Sequence, residues 1–145
     1  MMAGIMTNKN FVHPDTVEKL YRYTQDAITW YWAQKFDQRF GQMWLDADQQ
    51  FQEVIDDCGL NNPKAVISAR RRTQDSGTYK ITEGRVCAVM LNNDYQPDWG
   101  GGLTVGNTHC AIEGGTVVRY QNQTQLEQAP DHINIVQTIL YVYET

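Results

Sequence analysis

The sequence predicts an α+β fold in which N-terminal helices pack on a C-terminal sandwich, jelly roll or barrel of strands. Up to residue 60, apolar residues recur at the three- and four-residue steps of a helix. From residue 65 onward, short apolar runs alternate with glycine-rich turns, which is typical of an all-β unit. A chain of 145 residues has the size of one domain. We therefore expect a single domain over 1–145, with a helical buttress over 14–60 and a jelly roll over 65–143.

The first helix is expected to begin at Pro14, because proline favours the first turn and Asp15 and Thr16 stand beside it. The bulky stretch 29–32 is expected to end this helix or to follow it. One apolar face runs along the predicted helix and consists of Val17, Leu20, Tyr21, Ala27, Ile28 and Tyr31.

The second helix carries a sharper signal. Asp46 with Gln49 three residues later resembles an acidic capping box, and Gly59 is a natural helix end before Pro63. A single apolar stripe follows the cap and predicts packing against a sheet, through Phe51, Val54, Ile55 and Cys58.

The second half of the chain predicts six strands, over 65–70, 85–91, 103–105, 109–112, 116–120 and 133–143. The run 85–91 is nearly all apolar and is expected to be buried on both faces. Glycines 100–102 are interpreted as a hairpin turn, and the amide-rich segment 121–130 as the longest loop. The predicted core includes Val54, Ile55, Val86, Ala88, Met90, Val117 and Leu140.

Composition excludes several classes of function. The net charge of −5 argues against a nucleic-acid partner, which needs a basic footprint. Apolar runs of about five residues are too short to span a membrane, and no basic region precedes an apolar stretch at the start, so we expect no secretory signal and a cytoplasmic or virion location. Three scattered cysteines without a C-x-x-C spacing predict buried thiols in a reducing compartment.

Two segments resemble a known family. The run 90–103 leads from Leu91 and Asn92 through a polar turn to Trp99, and then to Leu103 through three glycines, Gly100, Gly101 and Gly102. The stretches 112–120 and 131–136 are similar to later strands of the same family, and 10–17 to the entry of its phage-borne members. The pattern resembles the prolyl-4-hydroxylase type of 2-oxoglutarate/Fe(II)-dependent dioxygenase. That resemblance implies a double-stranded β-helix, or jelly roll, preceded by helices.

The resemblance also implies a site with two histidines and one carboxylate on Fe(II). Asp75 matches the family's carboxylate and His132 its distal histidine, but Thr73 stands where the first histidine belongs. The family further needs a late basic residue that pairs with the distal carboxylate of 2-oxoglutarate, and no Arg or Lys follows Arg119. Asp75 and His132 are therefore interpreted as a vestigial metal pair at the mouth of the barrel.

Two further residues could contribute to such a site if they turned into the barrel. His109, on the strand after the glycine turn, is a weak candidate metal ligand, and Arg119 a weak candidate cation for the cosubstrate. The alternative interpretation of each, without a functional role, is a hydrogen-bonded or solvated strand residue.

Two functions remain open. The preferred one is a non-catalytic oxygenase-like jelly roll that serves binding or assembly through protein partners or self-association, as in a phage virion structural or decoration protein, without a cofactor. The alternative is a working dioxygenase that uses Fe(II) and 2-oxoglutarate on a protein or small molecule. A serine-hydrolase elbow, a Walker loop and a dinucleotide-binding glycine fingerprint are all missing from the sequence.

Overall fold

The computed structural model describes residues 5–34, 42–47, 49–71, 77–79, 84–92, 100–106, 108–110, 113–121, 126–131 and 136–145. Within these residues lie two α-helices, one 3-10 turn and ten strands. No helix among the described residues is long and apolar enough to cross a membrane. The elements are α1 (Pro14–Gln34), the 3-10 turn (Gln49–Phe51), α2 (Gln52–Asp57), β1 (Met6–Asn8), β2 (Gln42–Asp46), β3 (Pro63–Arg71), β4 (Gly77–Tyr79), β5 (Arg85–Met90), β6 (Gly100–Val105), β7 (Thr108–Cys110), β8 (Val117–Gln121), β9 (Leu126–Asp131) and β10 (Val136–Glu144).

The strands form two antiparallel sheets. The six-stranded sheet has the order β1-β8-β5-β10-β3-β2, and the four-stranded sheet has the order β4-β9-β6-β7. From β3 to β10 the chain passes repeatedly from one sheet to the other. The α+β class predicted from the sequence is therefore confirmed.

The central strands of the six-stranded sheet contribute to a hydrophobic core on each face, because successive side chains of a strand point to opposite sides. On one face lies the helix-side core, where the sheet packs against α1, the 3-10 turn and α2; it includes Leu20, Phe51, Val54, Cys87, Val89, Val117 and Leu140. On the other face lies the inter-sheet core, which consists of Val86, Ala88, Met90, Leu103, Val105, Cys110, Val118, Tyr120, Ile139 and Tyr141.

Several sequence predictions are confirmed. The first helix begins at Pro14, the apolar stripe before Gly59 is buried, and β5 is buried on both faces. All seven predicted core residues are at most 7% exposed. Gly59 has φ +67°, the left-handed conformation of a helix-ending glycine.

Other predictions are wrong at the level of elements. Asp46 does not cap α2: it ends β2, and the 3-10 turn intervenes before the helix, whose N-terminus has no side-chain cap. The stretch 29–32, expected to end the first helix or to follow it, lies within α1, which ends at Gln34. The expected loop 121–130 contains β9, the strand between β4 and β6, because backbone pairing rather than an apolar pattern determines its conformation.

Candidate functional site

The metal pair predicted from the sequence, Asp75 and His132, lies outside the described residues, as do Thr73 and Trp99. The structure does describe the strands on either side of the pair. Asp75 belongs to the connection from β3 to β4, and His132 to the connection from β9 to β10. Both connections pass from one sheet to the other.

The strand register shows that these two connections begin and end close together. In the six-stranded sheet, Arg71 at the end of β3 pairs with Val136 at the start of β10. In the four-stranded sheet, Gly77 at the start of β4 pairs with Gln128 in β9. The connections 72–76 and 132–135 therefore leave the two sheets at the same end, which we call the crossing end.

The connection from β5 to β6 lies at the crossing end too. Met90 in β5 pairs with Ile139, and Gly100 at the start of β6 pairs with Asp131 at the end of β9. Asn92 lies just beyond β5, where its Oδ1 accepts a hydrogen bond of 2.7 Å from the backbone N–H of Thr138.

The three glycines of the run 90–103 do not form the expected hairpin turn. Gly100, Gly101 and Gly102 are the first half of β6, and they are absent from the glycines with positive φ. A glycine run carries no side-chain pattern, so the sequence could not distinguish a strand of this kind from a turn. The turn after β6 is formed instead at Gly106, with φ +59°.

His109 lies on the outer face of the four-stranded sheet. It pairs with Thr104 across β6 and β7, and its exposed Nδ1 is 3.4 Å from the Thr104 hydroxyl. The neighbours of Thr104 in β6, Leu103 and Val105, point into the inter-sheet core. His109 therefore points away from the space in which a barrel metal would lie.

Arg119 also points away from that space. In β8, Val118 and Tyr120 face the inter-sheet core, so Arg119 faces the helices. Its Nη1 donates one hydrogen bond of 2.8 Å to the carbonyl of Cys58 and another of 3.1 Å to the sulfur of Cys87. The expected role of Arg119 as a cosubstrate cation does not agree with this position.

The inter-sheet core offers little to a metal or to a dicarboxylate. Its described side chains are mainly aliphatic, and Val86, Ala88, Met90, Leu103, Val105, Val118 and Ile139 are each at most 1% exposed. The polar groups on this side of the sheet include the hydroxyls of Tyr120 and Tyr141, the Cys110 thiol, whose Sγ is 3.6 Å from the Thr7 hydroxyl, and the buried side chains of Ser68 and Gln137, which alternate with residues of the helix-side face. Over the described ranges, no group of three His, Cys, Asp or Glu side chains could hold a metal ion. The described donors therefore do not fit a site with two histidines and one carboxylate.

The sequence did not reveal a polar cluster on the helix side of the six-stranded sheet. The thiols of Cys58 and Cys87 lie together beside Arg119. Cys87 and Arg119 line a cavity of about 160 Å³ together with Leu60 and Arg85. All three cysteines are buried free thiols, as expected. Their spacing along the chain gives no sign of the contact, since tertiary packing alone joins Cys58 to β5.

No protein-family model matches the chain, and no curated protein matches it. Solved structures do match. A prolyl-4-hydroxylase from Pseudomonas putida has a TM-score of 0.75 and 13% sequence identity, over 97% of this chain and 91% of that one. HygX from Streptomyces hygroscopicus, solved with nickel and 2-oxoglutarate bound, has a TM-score of 0.68 and 9% identity, over 98% of this chain and 83% of the other.

A viral collagen prolyl hydroxylase from Paramecium Bursaria Chlorella virus-1 is also similar. Its truncated form has a TM-score of 0.64 and 11% identity, over 96% of this chain and 87% of that one. The chain thus has the fold of the 2-oxoglutarate/Fe(II) oxygenases, as the resemblance in its sequence implied. Fold alone does not establish activity.

Proposed function

We propose that this chain is a non-catalytic double-stranded β-helix with the oxygenase fold, and that it acts by binding protein partners or further copies of itself. One observation carries the proposal. Among the residues that the structure describes, the inter-sheet core consists mainly of buried aliphatic side chains, whereas a ligand site in a small barrel needs an open and more polar interior.

The metal requirement of an oxygenase supports the same proposal. Fe(II) in these enzymes needs two imidazoles and a carboxylate on one face. The chain has three histidines, and two of them, His13 and His109, are exposed. In the segment that resembles the family motif, Thr73 stands where the first histidine belongs, and a neutral hydroxyl is a poor ligand for Fe(II). A pair formed by Asp75 and His132 would leave most of the coordination to water.

The cosubstrate requirement gives independent support. The distal carboxylate of 2-oxoglutarate needs a fixed cation, and Arg119 is the last basic residue of the chain. Its guanidinium is already bound to Cys58 and Cys87 and lies over the ring of Phe11, 5.3 Å from the ring centroid. Arg119 is therefore not a cation on the side of the sheet where the cosubstrate would need one.

The composition favours a protein partner. The net charge of −5 disfavours nucleic acid, and four Trp and eight Tyr supply residue types that are enriched in protein interfaces. At an edge of the six-stranded sheet, β1 consists of three exposed residues and includes Met6, which is 55% exposed. An edge strand can pair with another chain. A phage virion structural or decoration protein is the specific form that we propose, since jelly rolls are common in viral particles.

Calorimetric titration of the purified chain with Mn(II), with and without 2-oxoglutarate, tests the proposal. We expect no saturable heat in either titration, and no succinate when Fe(II), 2-oxoglutarate and O₂ are supplied together. Light scattering coupled to size-exclusion chromatography measures self-association in the same sample. Tight metal binding with formation of succinate would overturn the proposal.

A working 2-oxoglutarate-dependent oxygenase is the second candidate, and the crossing end is the observation that favours it. The connections that carry Asp75 and His132 leave the two sheets at the same end, where the two residues could share a metal. If this candidate is correct, Mn(II) binds the parent chain and Asp75→Ala and His132→Ala each abolish the binding. Thr73→His, which would supply the missing imidazole, should then strengthen it.

A further inference from the structure

Two buried thiols and one guanidinium meet on the helix side of the six-stranded sheet. Cys58 ends α2, and Cys87 lies in the middle of β5; both are at most 2% exposed. Arg119 pairs directly with Cys87 across β5 and β8. The three residues therefore join the end of a helix to the centre of a sheet.

Arg119 holds the two cysteines together. One nitrogen, Nη1, donates to the Cys58 carbonyl at 2.8 Å and to the Cys87 sulfur at 3.1 Å, so the Cys58 backbone is tethered directly above Cys87. Phe11 lies under the guanidinium and restricts its movement.

The two sulfur atoms are chemically unequal. Hydrogen bonding with the Cys58 side chain, aided by the charges of Arg119 and Arg85 and opposed by burial, lowers the pKa of Cys87. The same hydrogen bond, together with burial, raises the pKa of Cys58. Cys87 is thus the sulfur on which a thiolate is favoured, and Cys58 is the one that keeps its proton.

A cavity lies next to Cys87. The cavity of about 160 Å³ is partly open to solvent and is lined by Leu60, Arg85, Cys87 and Arg119 among others. Hydrogen peroxide is little larger than water and fits this volume.

We propose that Cys58 and Cys87 form a dithiol that hydroperoxides oxidise to an intramolecular disulfide, with Cys87 as the attacking sulfur and Arg119 as the positioning residue. The Cys87 thiolate attacks one peroxide oxygen, the O–O bond breaks, and the sulfenic acid forms while the other oxygen leaves as water after protonation. The Cys58 sulfur then attacks the sulfenic sulfur, the S–O bond breaks, and a second water leaves. Two thiols lose two electrons in all, and one hydrogen peroxide gains them.

The proposal does not depend on the function proposed above, because the thiol pair lies on the opposite face of the sheet from the inter-sheet core. That separation provides an internal control. Cys110 is also a buried free thiol, but it lies in the inter-sheet core beside Thr7, on the other side of the six-stranded sheet from the guanidinium of Arg119. If burial alone governed reactivity, Cys110 and Cys87 would react alike.

Treatment of the folded, reduced chain with hydrogen peroxide tests the proposal, with free-thiol titration, intact mass and peptide mapping as readouts. We expect the loss of two thiols, a mass decrease of two hydrogen atoms and one disulfide-linked peptide pair that contains Cys58 and Cys87. Thiol reductants should reverse the change. Cys110→Ser should behave as the parent.

Variants of the pair separate the two roles. In Cys58→Ser the Cys87 sulfenic acid has no partner and should be trapped by dimedone, whereas Cys87→Ser should give neither disulfide nor trapped sulfenic acid at Cys58. Arg119→Gln should slow oxidation of Cys87 roughly tenfold, and Arg119→Lys, which keeps the charge, should slow it less. Near-ultraviolet circular dichroism checks that each variant is folded.

Unfolding of the chain in urea supplies the reference for variants that fold poorly. In urea all three cysteines should react at similar rates, so selectivity for Cys87 must vanish there. Equal oxidation of Cys87 and Cys110 in the folded chain, or a disulfide that includes Cys110, would overturn the proposal. It would also be overturned if dimedone trapped Cys58 rather than Cys87.

Discussion

The carboxylate of Glu144, near the end of β10, is the acceptor of four hydrogen bonds. The backbone and Nε of Arg85 donate to Oε1 at 2.9 and 3.2 Å, while Nη2 of Arg85 and the backbone of Asn61 donate to Oε2 at 2.9 Å each. These bonds, with the side chain of Arg85 first among them, lower the pKa of Glu144 from 4.5 to about 2. One side chain thus joins the end of β10 to the start of β5 and to the chain after α2.

Glu144→Gln should lower the melting temperature at pH 7 by a few degrees, since the amide nitrogen cannot accept two of these bonds. The folded-state pKa is the depressed one, so the stabilisation is complete above pH 4.5 and is lost as the pH falls towards 2. The melting-temperature difference between parent and variant should therefore close over that range. Glu113→Gln, at an exposed ion pair with Lys9, is the control and should change little. A difference that stays constant down to pH 2 would contradict the assignment.

The backbone conformation and the close packing at residue 115 require glycine. Its φ is +88°, and an added Cβ would lie 3.0 Å from the Val12 carbonyl oxygen and 3.4 Å from a Val17 methyl. We expect Gly115→Ala to lower the free energy of unfolding by roughly 2–4 kcal/mol, from the left-handed conformation and the contact together. Gly59→Ala is the matched control, because φ is +67° with open space around the Cβ, and should cost only about 1–2 kcal/mol. Urea denaturation measures both; equal losses would show that the contact with Val12 is relieved at no cost.

At the scale of elements, Asn92 continues the pairing of β5 with β10 beyond the last strand residue. The backbone of Leu91 donates to the Thr138 carbonyl at 3.0 Å, and the Asn92 side chain accepts from the buried Thr138 N–H at 2.7 Å. Asn92→Ala leaves that N–H without this acceptor and should destabilise the fold by about 1–3 kcal/mol. Asn61→Ala, at an exposed residue whose backbone N–H is retained, should stay within about 0.5 kcal/mol. Chemical denaturation tests the pair, and an Asn92→Ala variant as stable as Asn61→Ala would exclude this role.

The elements that could be predicted from the sequence are those in which apolar residues follow a clear pattern along the chain. The buried strands β5 and β10 and the stripe before Gly59 are dense in apolar residues, and each was predicted close to its observed bounds. By contrast, β1 has three exposed residues, Gly100 to Gly102 have no side chains, and β9 lies largely in the amide-rich segment 121–130 and contains a proline at residue 130. Backbone pairing with neighbouring strands determines these segments, and no local pattern in the sequence records it.

The candidate site residues also differ in how far the sequence alone could predict them. Asp75 and His132 were predicted only through resemblance to a family, and they lie outside the described residues, so their pairing stays a prediction. Arg119 was predicted as a weak candidate cation on the condition that it turned into the barrel. Its orientation depends on which residues of β8 face each side of the sheet; Val118 and Tyr120 face the inter-sheet core, so Arg119 does not. Contact between Cys58 and Cys87 depends on how α2 packs against the sheet, so it could not be predicted from their spacing.

At the scale of the whole molecule, the six-stranded sheet is the shared wall of two cores. Val89 in β5 belongs to the helix-side core, and Val118 in the adjacent strand β8 belongs to the inter-sheet core; both are fully buried. The backbone hydrogen bonds between β5 and β8 therefore connect the packing of the helices to the packing of the four-stranded sheet. Neither layer can lose its contacts without exposing one face of the same strands.

This arrangement predicts that the described layers unfold together. Val89→Ala and Val118→Ala should each lower the free energy of unfolding by about 1.5–3 kcal/mol, through lost apolar burial and an added cavity. Because the sheet is common to both cores, each variant should keep a single transition in which far-ultraviolet circular dichroism and tryptophan fluorescence coincide. Thr108→Ala, at an exposed residue of β7, removes surface atoms only and should leave the midpoint unchanged. If Val118→Ala instead separated the two probes into distinct transitions, the four-stranded sheet would be unfolding on its own, and the shared wall would not couple the two cores.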